Sequence, residues 1–99
     1  MEQSEVDEAI RLWTGFGVTP WPKRSAERLR EVLGDVRAAQ MEPVVRALED
    51  DFYASDARDR GMDLQEMSDL AIEDFRRRHP EVGEDAAEAF AWCYTWDHK

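Results

Sequence analysis

Glycine and proline residues divide this chain into short segments in which apolar residues recur at helical spacing. The first segment carries one such stripe, formed by Val6, Ala9, Ile10 and Trp13. We expect its helix to begin at Ser4 as N-cap, with Asp7 three residues later as the capping-box partner. Two glycines and two prolines within residues 15–22 end that helix. Since no segment shows the two-residue alternation of a strand, the pattern predicts an all-α fold.

The middle of the chain contains breaks of unequal strength. A second helix is predicted to start at Ser25, a favourable N-cap. Gly34 lies off its apolar face, so we expect the helix to run through it to about Gln40, at a cost of ~1 kcal/mol. Pro43 then forces a new start or a kink. Gly61 is predicted to end the third helix as a left-handed C-cap.

The last two helices have the clearest boundaries. Asp63 and Glu66 form a second capping box, and Pro80 stops the fourth helix. Its predicted inner face consists of Leu64, Met67, Ala71, Ile72 and Phe75. The final helix, residues 83–97, is apolar nearly all round and leaves only a narrow polar stripe of Glu84, Glu88 and Thr95. Such a helix is normally central. The sequence therefore predicts one domain, residues 1–99, built as a single compact bundle of four to five short helices with the C-terminal helix central.

Charge limits the classes of partner. The chain has 99 residues and a formal net charge of −10, and residues 49–74, the acidic span, contain ten acids and two bases. So acidic a chain is not expected to bind nucleic acid or anionic membranes directly, because both require clustered Lys and Arg. No apolar run is long enough for a membrane span, and the acidic N-terminal residues do not resemble a signal peptide. With Cys93 as the single cysteine, a cytoplasmic location is expected.

The acidic span is the first candidate site. Glu66, Asp69 and Glu73 share one helix face at i, i+3 and i+7, with Leu70 beside them as an apolar anchor. We interpret this face as a surface for a basic protein partner. The full predicted set is Asp50, Asp51, Tyr53, Glu66, Asp69, Leu70, Glu73 and Asp74. It suggests a non-enzymatic interaction protein, such as an inhibitor of the immunity, antitoxin or nucleic-acid-mimic type. An ordinary solvated face, partly offset by Arg76 and Arg77, remains the alternative.

Exposed tryptophans would support a different function. A structural or assembly module would self-associate, for example as a homodimer, through Trp92 and Trp96 or through the loop around Trp21, since Trp is a favoured interface residue. The alternative is that these tryptophans serve only the fold. In that case the last helix buries its tryptophans, and Trp21, between two prolines, packs as a lid over the open end of the bundle.

A small enzyme or metal-binding protein is the third class. Cys93 is most simply a buried apolar residue, and His79 and His98 lie at helix ends without ligands at metal spacing. The turn from Asp56 resembles a calcium loop, but Arg58 and Arg60 stand where oxygen ligands are needed. We therefore predict no catalytic residues, no metal site and no cofactor.

Overall fold

The fold is all-α, as predicted. The computed structural model describes residues 3–55, 57–60 and 63–97, except the side chain of Arg58. These ranges form α1 (Gln3–Thr14), α2 (Ala26–Leu33), α3 (Asp35–Tyr53), α4 (Ala57–Arg60), α5 (Leu64–Arg78) and α6 (Glu84–Asp97). Apart from α4, a single turn, each has eight or more residues. Among these described helices, none combines the length and apolar character needed to span a bilayer.

The start of α1 differs from the prediction. The helix already includes Gln3, so Ser4 lies inside it and does not act as its N-cap. Asp7 is used by other groups: its Oδ1 accepts a hydrogen bond from Gln3 Nε2 at 2.8 Å, and both carboxylate oxygens accept from the backbone N–H of Gly83. The carboxylate thus caps the distant helix α6 instead of its own.

The break between α2 and α3 lies at Gly34, and the prediction that one helix continues through it is wrong. Gly34 has φ +85°, a conformation that side chains other than glycine rarely adopt, so the helix cannot continue. Pro43 makes no new start, because α3 continues through it to Tyr53. Proline lacks the N–H that would donate to the carbonyl four residues earlier in the helix. Pro43 is exposed, so this missing hydrogen bond lies on the solvent side of α3 and not in the bundle interior.

Two of the remaining helices, α2 and α5, begin at the N-cap residues predicted from the sequence. Ser25 Oγ accepts the N–H of Arg28 at 3.3 Å, and Asp63 Oδ1 accepts the N–H of Glu66 at 2.8 Å, so both predicted N-caps are confirmed. α3 ends at Tyr53, earlier than expected, and the predicted cap at Gly61 lies outside the described residues.

The core confirms that α6 is central. α6 packs against α1, α3 and α5. Its fully buried residues include Phe90 and Tyr94, which meet Phe52 of α3 with ring centroids 5.7 and 5.8 Å apart. Phe75 of α5 joins this cluster, 5.2 Å from Phe52. On α5, however, Leu64 is 37% exposed, so it does not face inward as predicted.

Candidate partner-binding groove

Several acids of the acidic span are neutralised inside the molecule. Asp51 accepts a hydrogen bond from Arg78 Nη1 at 2.7 Å and contacts the His79 ring. Asp74, whose side chain is only 17% exposed, accepts from Ser55 and Arg77 at 2.9 Å each. Asp74 is also ion-paired to Arg60. The charge count along the chain therefore overstates the acidic surface available to a partner.

The two predicted anchors are also partly buried. Leu70 packs against the core. Tyr53 is half-buried, and its hydroxyl donates to Asp97 at 2.6 Å and accepts from Arg24 at 2.8 Å. Burial raises the pKa of Tyr53, with a further contribution from the hydrogen bond to Asp97. Asp50 is exposed on α3, a different helix from the one that carries Glu66, Asp69 and Glu73.

Arg24 joins the loop before α2 to the other end of the chain. Its Nε lies 3.2 Å from Glu49 Oε2, and its Nη2 lies 3.2 Å from Asp97 Oδ2. The indole N–H of Trp13 donates to the same Glu49 oxygen. Burial alone would lower the pKa of Arg24, but Glu49 and the other polar neighbours raise it above the ordinary value. The guanidinium is therefore a permanent cation in this position.

Three predicted carboxylates remain exposed on α5: Glu66, Asp69 and Glu73. Glu73 has a side chain that is 68% exposed and pairs with Arg77 at 3.3 Å, as expected from their spacing. Asp69 accepts a hydrogen bond from Gln65 at 3.0 Å. These contacts leave carboxylate oxygens facing solvent on this side of the helix.

A groove runs between α5 and α6 beside Asp69 and Glu73, and Glu66 is not among the residues that line it. Its central cavity has a volume of about 440 Å³. Ile72, Ala91 and Trp92 contribute apolar walls, while Asp69 and Glu88 contribute charge. We call this depression and its two extensions the α5–α6 groove.

The two ends of the α5–α6 groove differ in chemistry. One end, about 280 Å³, is lined by Leu64, Trp92, Thr95 and Trp96. The other end, about 410 Å³, is lined by Asp69, Ile72, Glu73, Arg76, Glu84 and Glu88. The groove is therefore mainly apolar at one end and strongly acidic at the other.

The predicted aromatic residues lie on two surfaces. Trp92 is half-buried, with its ring edge-to-face on Phe16 at 5.6 Å between centroids, and Trp96 is 45% exposed. Both line the apolar end of the groove. Trp21, in the loop between α1 and α2, is 54% exposed, so it does not form a buried lid.

Sequence reasoning missed the part that α6 plays in this surface. Glu84 and Glu88 belong to the predicted polar stripe of α6, and the structure places that stripe along the groove. The signal in the sequence that could have found it is an acidic stripe on an otherwise apolar helix.

The structure supports the buried position predicted for the single cysteine. Cys93 is fully buried, and burial raises the pKa of its thiol to about 12, so the thiol is neutral near pH 7. Asp56 and His98 lie outside the described residues.

Comparison with known proteins adds no assignment. No protein-family model matches the chain. Neither a curated protein nor a solved structure shows significant similarity to it. Its function must therefore be inferred from the chemistry of the α5–α6 groove.

Proposed function

We propose that this protein is a non-enzymatic interaction protein that binds a basic segment of a protein partner in the α5–α6 groove. The observation that carries this proposal is that one groove combines carboxylates concentrated at one end with apolar side chains at its centre and its other end. Binding energy at protein interfaces comes mainly from buried aromatic and aliphatic anchors, while rim charges increase the association rate and selectivity.

The charge of the groove favours Lys and Arg on the partner. The acidic end of the groove is lined by Asp69, Glu73, Glu84 and Glu88, with Arg76 as the one cation among its described lining residues. Glu73 also pairs with the neighbouring Arg77, so the other three acids contribute most of the negative charge. Exposed pairs of this kind contribute little individually, but several like charges around one cleft produce a field that attracts a basic ligand. An acidic segment would be repelled by the same field.

The proposal narrows the surface expected from the sequence. Asp51 and Asp74 are ion-paired within the molecule, so they attract a basic partner less strongly. Trp92 and Ile72, which line the groove, take the place of Leu70 as the proposed apolar anchors. A basic protein that itself binds nucleic acid would be a suitable target, because phosphate-binding surfaces are rich in Lys and Arg. An inhibitor that occupies such a surface is the activity we favour.

Charge reversal with a matched control tests the proposal. The groove variant combines Asp69→Lys, Glu73→Lys and Glu88→Lys. The control variant combines Glu27→Lys, Glu31→Lys and Asp35→Lys, three exposed acids on α2 and the start of α3. Both variants change the net charge equally, so a difference between them reports position rather than total charge. Thermal melts establish that each variant is folded before binding is compared.

Affinity capture from extract of the source cell, with cross-linking, provides the readout. We expect a basic protein to be retained by the wild type and the control variant and lost by the groove variant. Its association rate should also fall as salt rises. Equal capture by the groove variant, or capture only of partners without a basic surface, would show that the proposal is wrong.

The self-association hypothesis retains one supporting observation. Val18 and Trp21 in the same loop are 67% and 54% exposed, and Trp96 is 45% exposed. A homodimer that buries these side chains would sediment as a concentration-dependent species, and Trp21→Ser or Trp96→Ser would return it to a monomer. A wild-type chain that stays monomeric at high micromolar concentration would exclude this second function.

A further inference from the structure

We infer that the occupant of the α5–α6 groove is an α-helix of about three turns, apolar at one end and basic at the other. This inference rests on the proposed function, because it specifies the segment that the same groove binds. It is carried by the length of the groove, by the backbone of its walls and by the separation of its apolar and acidic ends.

The length follows from the lining residues. On α5 the groove extends from Leu64 to Arg76, and on α6 from Trp96 back to Glu84. Twelve residues of helix at 1.5 Å per residue correspond to about 18 Å. A partner helix of about twelve residues, slightly over three turns, matches that length.

The walls favour a helix over an extended segment. The backbone N–H and C=O groups of α5 and α6 are paired along their own helices, so the groove offers no strand edge. Two polar side chains in the groove are also engaged, because Gln65 donates to Asp69 and Thr95 donates to the Trp92 carbonyl. An extended segment would find few backbone partners here, whereas a helix satisfies its backbone internally.

The two ends of the groove then set the pattern of the occupant. Apolar side chains one turn apart would lie against Trp92, Trp96 and Leu64. Lys or Arg side chains on the same face, one to two turns further along, would reach Glu88 and Glu84. This arrangement is the i, i+4, i+7 pattern of an amphipathic helix bound in a groove.

Three synthetic peptides of about thirteen residues test this inference. The first is alanine-based, with two Leu near one end and two Lys near the other, all on one helix face. The second has the same composition with the Leu and Lys residues distributed around the helix. The third is the first peptide with a central Ala replaced by Pro, which disrupts a helix but keeps the charge. Each is titrated into the ¹⁵N-labelled 99-residue chain and followed by the chemical shifts of its backbone amides.

We expect the first peptide to shift amides along both walls of the groove. It should bind at least tenfold more tightly than the second peptide and about a hundredfold more tightly than the third, since Pro is strongly disfavoured inside a helix. Adding Asp69→Lys and Glu88→Lys to the protein should abolish these shifts, while Glu27→Lys and Glu31→Lys should preserve them.

The remaining outcomes separate the two proposals. If the proline peptide binds in the groove as tightly as the first, the occupant is not a helix, but the proposed function survives. If the first two peptides bind there equally, the apolar-to-basic pattern is wrong. If no peptide shifts the groove amides, or if shifts occur only elsewhere, both the inference and the proposed function are overturned.

Discussion

The carboxylate of Asp7, in the first helix, accepts the backbone N–H of Gly83 at the start of the last helix, with oxygen distances of 3.3 and 3.2 Å. A negative charge here also faces the positive end of the α6 dipole. A Cβ on Gly83 would lie 2.6 Å from Asp7 Oδ2, so the absence of a side chain permits this close approach. This contact therefore ties the start of α6 to the first turns of α1.

Asp7→Ala is expected to lower the free energy of unfolding by about 1 kcal/mol, the usual effect of losing a capping side chain. Gly83→Ala should have a comparable effect, because the new methyl group displaces the carboxylate. Urea denaturation of both single variants and the double variant checks this. The double variant should lose less than the sum of the two, since each substitution breaks the same contact. Additive losses, or an equal loss in the neighbouring control Glu8→Ala, would contradict the assignment.

Arg24→Met is expected to destabilise the fold by about 1–3 kcal/mol, because it removes the cation from partly buried acceptors while keeping the aliphatic stem. The carboxylate of Glu49 is only 17% exposed and would retain the Trp13 N–H without its counter-charge. Arg30→Met on the exposed side of α2 provides the control and should change stability by less than about 0.5 kcal/mol. Denaturation midpoints measure both variants, and similar losses for the two would show that the network contributes nothing specific.

Local chemistry predicts much of this fold. Ser25 and Asp63 cap the helices that they were expected to cap, and the apolar composition of α6 correctly places it at the centre. The errors concern the two helix breakers in the middle of the chain. Helix propensity treats Gly34 as tolerable and Pro43 as decisive, but Gly34 adopts φ +85°, which ends the helix, while α3 continues through Pro43. The sequence contains no direct measure of the backbone conformation at either residue.

The candidate site is less predictable, because its charges pair across large separations along the chain. Arg78 reaches Asp51 from 27 residues away, and Arg24 reaches Glu49 from 25. A count of acids along residues 49–74 cannot include such partners. The groove depends on how α5 and α6 pack, so Asp69 and Glu88 become neighbours only in the folded chain.

Substitution by alanine is expected to change the stability in opposite directions at Gly34 and at Pro43. Gly34→Ala should lower the free energy of unfolding by about 1–2 kcal/mol through backbone strain at φ +85°, although no atom lies within 4 Å of the new Cβ. Pro43→Ala should be neutral or stabilising by about 1 kcal/mol, because it restores a donor within α3. Thermal melts with circular dichroism measure both. Destabilisation by Pro43→Ala larger than that by Gly34→Ala would mean that the proline, and not the glycine, sets the helix boundary.

Cys93 is expected to make the protein less stable as the pH becomes alkaline. In the folded chain, burial raises the pKa of its thiol to about 12, whereas an unfolded thiol ionises near pH 8.5. Below the unfolded value both states keep the proton and the full stability is present. As pH rises from there toward 12, only the unfolded state loses the proton, so the free energy of unfolding falls, by about 2 kcal/mol at pH 10. Urea denaturation at pH 7 and pH 10 should show a smaller pH-dependent loss for Cys93→Ala than for the wild type. Identical losses in the two proteins would show that the thiol is not held neutral in the core.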